Sequence, residues 1–304
     1  MEIKRIIVGL DLTEMDDQVI RYINFLEEVF DLDTVYFLHV AKDLKLPDRV
    51  REKYPDILAP VDESIESDIR KKLDALYKPV NDTEYSIEIK EGDAMKGLMH
   101  WTEVKNVDLI VMGRKIEMNG SGKLAAKFAR LVLCSMLFVP EGFTPRLDKV
   151  VVSVDYSNTS GLALDAALYI REHTPVDIII HHAYDVPTGY HYTGKTHDEF
   201  QEIMGQNALD DAHEFISKRG LDTADFSYNM MYDNEDDPGE RAYECATESN
   251  AAMIIMSSRG RTGMASLLLG SVAEKMVQYD SKVPLIIIKN KKENLGFFDA
   301  LMRI

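Results

Sequence analysis

The chain repeats itself. Residues 3–11 read Ile-Lys-Arg-Ile-Ile-Val-Gly-Leu-Asp, and residues 147–155 read Leu-Asp-Lys-Val-Val-Val-Ser-Val-Asp. Each is a β-branched run ending on an aspartate, Asp11 or Asp155. A helix-period segment follows in both places, with Val19, Ile20, Ile23 and Leu26 in the first and Leu162, Leu164, Ala167 and Leu168 in the second. Val35–Val40 then matches Ile178–Ala183, Asp108–Gly113 matches Ala252–Ser257, and Met136–Val139 matches Pro284–Ile288. Asp11 and Gly113 are 102 positions apart, and so are Asp155 and Ser257. A shared register over that distance marks two copies of one domain. The Pro/Gly turn at 140–146 separates them, giving expected domains at 1–142 and 147–290 with a packing tail at 291–304.

Continuous apolar strands alternating with amphipathic helices predict an α/β fold in each copy. Strands apolar on both faces belong to a parallel sheet covered by helices on both sides. Such a sheet binds ligands beyond the carboxyl ends of its strands, where the strand order reverses. The residues just after each strand are therefore the informative ones.

Composition narrows the ligand. The chain has 304 residues, with 35 Lys+Arg against 52 Asp+Glu, a net charge of −17. Nucleic acid and anionic membranes need a basic footprint, so neither is an expected partner. No apolar run approaches the ~18 residues of a membrane span. Met1–Arg5 runs straight into the first strand, so no secretory leader is expected. The two cysteines, Cys134 and Cys245, fit a reducing cytoplasm.

The loop after the fourth strand of the second copy reads Met256-Ser-Ser-Arg-Gly260-Arg-Thr-Gly-Met-Ala-Ser-Leu-Leu-Leu-Gly270-Ser271-Val272. Small residues let backbone amides approach a ligand closely. A helix opening at Gly270-Ser271 adds free N–H groups and a positive dipole end, and Ser271 would cap it or donate to a phosphate. By composition alone, turn-forming glycines account for the loop equally well.

With Gly260, nine residues, then Gly270-Ser271, the segment resembles the nucleotide-binding loop G-x2-G-x9-G-(S/T) of the universal stress protein family. Ser257 stands where the family has its first glycine. The resemblance covers residues 3–290 and implies a tandem protein of two open, mainly parallel five-stranded sheets in the order 3-2-1-4-5. Helices lie on both faces in this Rossmann-like, adenine nucleotide alpha hydrolase-like architecture. It further implies a pocket built from Ser153, Val154 and Asp155, the last reading the adenine edge, with Ala183 from the second strand. Met256, Ser257, Arg259 and Gly260 would come from the loop, and Gly270, Ser271 and Val272 from the helix start. The implied ligand is ATP, or the shorter ADP or AMP, in a stress-response or signalling module; a slow ATP hydrolase and a ligand-free scaffold are the alternatives. Family dimers pair through their last strands, so the two copies are expected to form an intramolecular pseudo-dimer. The Phe297-Phe298 tail is a candidate contact for a homodimer.

The first copy departs from this pattern. Its loop, Gly113-Arg-Lys-Ile-Glu-Met-Asn-Gly120-Ser-Gly-Lys123, is four residues shorter and has Lys123 where the second copy has Ser271. It also fails the Walker pattern, with Glu117 for the first glycine and Leu124 for the hydroxyl. A degenerate, structural copy is expected, although Arg114, Lys115 and Lys123 leave room for a smaller anion. His181, His182, His191 and His197 match no metal spacing, so no metal site is assigned, and no catalytic residue is assigned either.

Overall fold

The computed structural model describes residues 3–44, 53, 61–80, 82–115, 121–259, 269–279 and 282–291. The first half contains β1 (Arg5–Leu10), α1 (Met15–Leu26), β2 (Thr34–Ala41), α2 (Val61–Leu76), β3 (Glu84–Glu91), α3 (Ala94–Val104), β4 (Leu109–Arg114), α4 (Ser121–Leu131) and β5 (Ser135–Pro140). The second contains β6 (Lys149–Ser153), α5 (Ser160–His173), β7 (Asp177–Tyr184), α6 (His197–Ser217), β8 (Ser227–Tyr232), α7 (Pro238–Glu248), β9 (Met253–Ser257), α8 (Ser271–Gln278) and β10 (Leu285–Ile288).

Within the first half the strand order is β3-β2-β1-β4-β5, and within the second it is β8-β7-β6-β9-β10. Every pair within a half is parallel. Both are the expected 3-2-1-4-5 order. The inner strands are the apolar runs of the sequence: Ile6, Ile7 and Val8 of β1 and Val150, Val151 and Val152 of β6 are fully buried. The outer strands β3 and β8 carry no fully buried residue. β3 bears Glu84, Glu88, Lys90 and Glu91, charges that discourage edge-to-edge pairing.

The repeat extends to backbone conformation. Left-handed residues recur 144 positions apart: Leu12 and Tyr156 both at φ 63°, Asn106 at 50° and Asn250 at 52°, Gly92 at 140° and Asp236 at 55°. Only a shared loop geometry places such uncommon dihedrals in register. Helix starts repeat as well. Asp93 accepts from the Lys96 amide at the head of α3, and Asp237 from the Glu240 amide at the head of α7.

Two compact units emerge, and they differ from the sequence repeat at one helix. One unit contains residues 146 onward together with α4 as far as Arg130; the other contains residues 2–116 and 131–145. Helix α4 therefore belongs by packing with the second half. The Lys289 ammonium, buried after β10, donates to the Ala129 carbonyl at 2.6 Å. The Arg130 guanidinium donates to both carboxylate oxygens of Glu274 at 2.5 Å. The division at 142/147 is that of the sequence repeat, whereas these contacts describe what covers α4. No helix of the described residues is long and apolar enough to cross a membrane.

One core group is poorly satisfied. Tyr22 is fully buried in α1, and its hydroxyl has no hydrogen-bond partner among the described residues. Burial raises its pKa far above the ordinary phenol value. A buried unpaired hydroxyl costs about 1–3 kcal/mol, so Tyr22→Phe is expected to stabilise the protein by about 1 kcal/mol. Urea unfolding would show a raised midpoint at unchanged slope; a lowered midpoint contradicts this account.

Candidate functional site

In the second half the chain leaves β6 for β7 and β8, then returns to the other side of β6 as β9. The switch point lies between β6 and β9, and the loops after these strands flank it.

After β6, Val154 has a buried side chain. Its amide donates to the His181 carbonyl at 2.9 Å, and its carbonyl bonds His182 Nδ1 at 2.8 Å. Val154 thus positions Asp155, and its carbonyl keeps a second lone pair. Asp155 is half-buried, and its Oδ1 accepts from the Ser157 amide at 3.1 Å and the Ser157 hydroxyl at 2.6 Å. Ser153 pairs with His181 on β7 and with Met256 on β9, so it sits at the mouth of the crevice. Ala183, half-buried, is on the adjacent strand in register with Met231 of β8.

Tyr156, which sequence reasoning missed, holds a left-handed conformation uncommon for an aromatic residue. Its hydroxyl donates to the Ala208 carbonyl of α6 at 2.7 Å, and its ring lies 4.5 Å from that of His182. These contacts hold the strained turn in place. The first half has the same turn with Leu12 in the corresponding position, where the side chain is exposed. His39 Nδ1 there meets the Leu10 carbonyl at 2.9 Å, as His182 meets Val154.

At the end of β9, Met256 and Ser257 are buried. Two hydroxyls converge on the Arg259 carbonyl, Ser257 Oγ at 2.7 Å and Thr159 Oγ1 at 3.1 Å. Thr159 follows β6, so this carbonyl ties the two loops across the switch point. Ser258 donates its amide to Ile288 at 2.9 Å and accepts from the Gly270 amide at 2.6 Å. The end of β9 and the start of α8 are therefore held together by this bond. Gly260 lies outside the described residues.

Gly270 is the N-cap of α8, at φ −76° and ψ 161°, which any residue can adopt. Its contribution is the absence of a side chain. Ser271, exposed, is the first residue of α8 and not its cap, as the sequence had suggested it could be. Val272 follows, half-buried. The first amides of a helix have no intrahelical acceptor, so this end presents donors and a positive dipole end beside the loop.

In the first half the same positions are filled differently. Asp11 Oδ1 accepts from the Thr13 amide at 3.0 Å, while Lys115 Nζ stands 3.6 Å from Asp11 Oδ2. Burial pushes the Asp11 carboxyl up, but the Thr13 hydrogen bonds and the Lys115 charge outweigh it and hold the pKa below its usual value. Asp16, at the position of Ser160, is buried with Oδ1 on the Asp11 amide at 3.0 Å. Lys72 Nζ stands 3.6 Å from its Oδ2. Residues 116–120 of this loop lie outside the described residues, and α4 begins at Ser121, one residue before Gly122.

The four histidines separate. His181 is fully buried, with Nδ1 2.9 Å from Asn229 Oδ1, and burial lowers its pKa to about 4. It is a neutral structural group at neutral pH. His182 belongs to the Tyr156 turn, His191 stacks against Tyr190 at 3.9 Å, and His197 Nε2 meets the Tyr232 hydroxyl at 3.1 Å. Among the described residues no three His, Cys, Asp or Glu side chains are grouped to hold a metal ion. Cys134 and Cys245 are buried thiols, and burial pushes Cys245 up to about 12.

A parallel sheet in 3-2-1-4-5 order, present twice, defines an α/β nucleotide-binding type of fold. The sequence pattern of the universal stress protein family matches residues 2–140 and again 146–289, and the chain belongs to that family. Universal stress protein YxiE of Bacillus subtilis (strain 168) is 29% identical over 156 residues, covering 47% of this chain and 99% of its own length. Universal stress protein MJ0577 of Methanocaldococcus jannaschii is 23% identical over 156 residues, covering 47% of this chain and 95% of its own. The crystal structure of a universal stress protein from Archaeoglobus fulgidus DSM 4304 aligns with a TM-score of 0.60 at 18% identity, over 95% of this chain and 97% of that one. A functionally unknown protein, PA1789 of Pseudomonas aeruginosa PAO1, aligns with a TM-score of 0.63 at 11% identity, over 99% and 98% of the two chains. The last two likenesses concern the fold alone.

Proposed function

We propose that the second half binds an adenine nucleotide, ATP or its shorter forms ADP and AMP, and that the chain works as a nucleotide-binding stress-response or signalling module. The observation that carries this reading is the pairing of Gly270 with Ser258. It puts the start of α8, which has no side-chain cap, next to the end of β9 at the switch point. Asp155 stands across the crevice at the end of β6, where a base edge would be read. The first half is proposed to be structural, because its loop is four residues shorter, Lys123 stands in place of Ser271, and Lys115 faces Asp11. A cytoplasmic setting without nucleic-acid or membrane partners is part of the same reading, supported by the net charge of −17.

Denaturing the purified protein and separating what it releases tests the proposal. One adenine nucleotide per chain is expected, or uptake of one per chain when ATP is added to an empty preparation. Two per chain would contradict the structural role of the first half. Neither release nor uptake would leave the ligand-free scaffold as the function. Phosphate production on the same sample separates a binder from a slow hydrolase.

A further inference from the structure

We propose that Arg130, on α4, is a positioning residue for the phosphate end of this nucleotide site, acting through Glu274. The inference rests on the nucleotide reading above and adds its electrostatic control. Glu274 is the fourth residue of α8, one turn from the helix start where the phosphates would sit. An acid there is favourable for an empty helix, because it complements the dipole. For a bound polyphosphate it is a like charge. At 1.5 Å rise per residue, its carboxylate comes within about 10 Å of the phosphates, roughly one Debye length at physiological salt.

Arg130 cancels that charge. Both oxygens of Glu274 accept from its guanidinium at 2.5 Å. Its placement is fixed by the preceding residue, since Lys289 holds the Ala129 carbonyl in the last turn of α4 at 2.6 Å. A cation at a helix C-terminus satisfies carbonyls that the helix itself leaves open. The pair is partly exposed, with side chains 46% and 30% accessible. Exposed pairs contribute little to folding stability, so its electrostatic effect on a nearby ligand can be read apart from stability. Helix α4 comes from the first sequence repeat, so that repeat supplies a charge to the site of the second while binding no nucleotide itself.

The test measures ATP, ADP and AMP affinities by calorimetric titration at low and high salt. The proteins are wild type, Arg130→Ala, Arg130→Lys and Arg130→Ala combined with Glu274→Gln. Arg130→Ala is expected to weaken ATP binding by about 3-fold at physiological salt, given screened charges at this separation. The loss is expected to shrink from ATP to ADP to AMP and with added salt. Arg130→Lys should retain most of the affinity, and Glu274→Gln should restore it in the Arg130→Ala background. A loss equal for ATP and AMP means a structural role and overturns the proposal. So does unchanged affinity in Arg130→Ala, or no rescue by Glu274→Gln. Wild-type protein that takes up none of the three nucleotides overturns the nucleotide reading and this proposal together.

Discussion

Gly270→Glu is expected to abolish ATP-dependent thermal stabilisation. The wild-type protein at ATP concentrations about 100-fold above its dissociation constant should gain about 2.7 kcal/mol, a rise in melting temperature of about 5 °C or more. A glutamate at the N-cap places a carboxylate beside the free amides at the start of α8, within the chain itself. It therefore competes with a phosphate at an effective concentration no free ligand reaches. The backbone at Gly270 is extended, so a side chain there imposes no strain of its own, and an acid at a helix start does not destabilise the helix. The variant should thus melt near the wild-type temperature without ATP and fail to respond to it. Gly122→Glu, at the start of α4, should leave the response intact. Equal loss from both substitutions would refute the assignment of binding to the second half.

Much of this arrangement was legible in the residues, because the signals are local and occur twice. Short β-branched apolar runs such as Ile6–Val8 and Val150–Val152 fit strands buried on both faces, and the common register gives the second copy wherever the first is read. The start of α8 was legible through Gly270-Ser271, since a small residue ahead of a helix-period segment marks where the helix begins. Tyr156 was not legible. An aromatic residue carries no signature for a left-handed turn, and only its hydroxyl on Ala208 and its ring against His182 show why it is held there. The different fates of His181 and His182 follow from strand alternation, which puts adjacent side chains on opposite faces. Which face holds an acceptor is decided by Asn229 and Val154, far away in sequence. The placement of α4 was not legible either. Its periodicity predicts an apolar face, but periodicity is silent about which part of the chain covers that face.

That placement makes cutting the chain at the sequence repeat costly. Fragments 1–142 and 146–304 divide one compact unit, because α4 lies in the first fragment and packs in the unit of the second. Fragment 146–304 would lose the cover that α4 provides and the carbonyl that accepts from the buried Lys289 ammonium. Fragment 1–142 would retain α4, whose Ala126, Phe128 and Ala129 are buried in the intact chain, without its place in that unit. Exposing one large apolar side chain costs about 1.5–3 kcal/mol, and losing a partner of a buried polar group costs another 1–3. Together these approach half of a typical domain stability. Each fragment alone is therefore expected to melt at least 10 °C below the intact chain or to precipitate. Co-expressed, the fragments are expected to co-purify and recover most of the lost stability, because α4 regains its place in the unit of the second half. Lys289→Met in the intact protein should weaken the same attachment without removing α4, giving a smaller drop. Two fragments that are each soluble, as stable as the whole and indifferent to one another would show that α4 folds adequately without the second half, and that the pseudo-dimer is wrong.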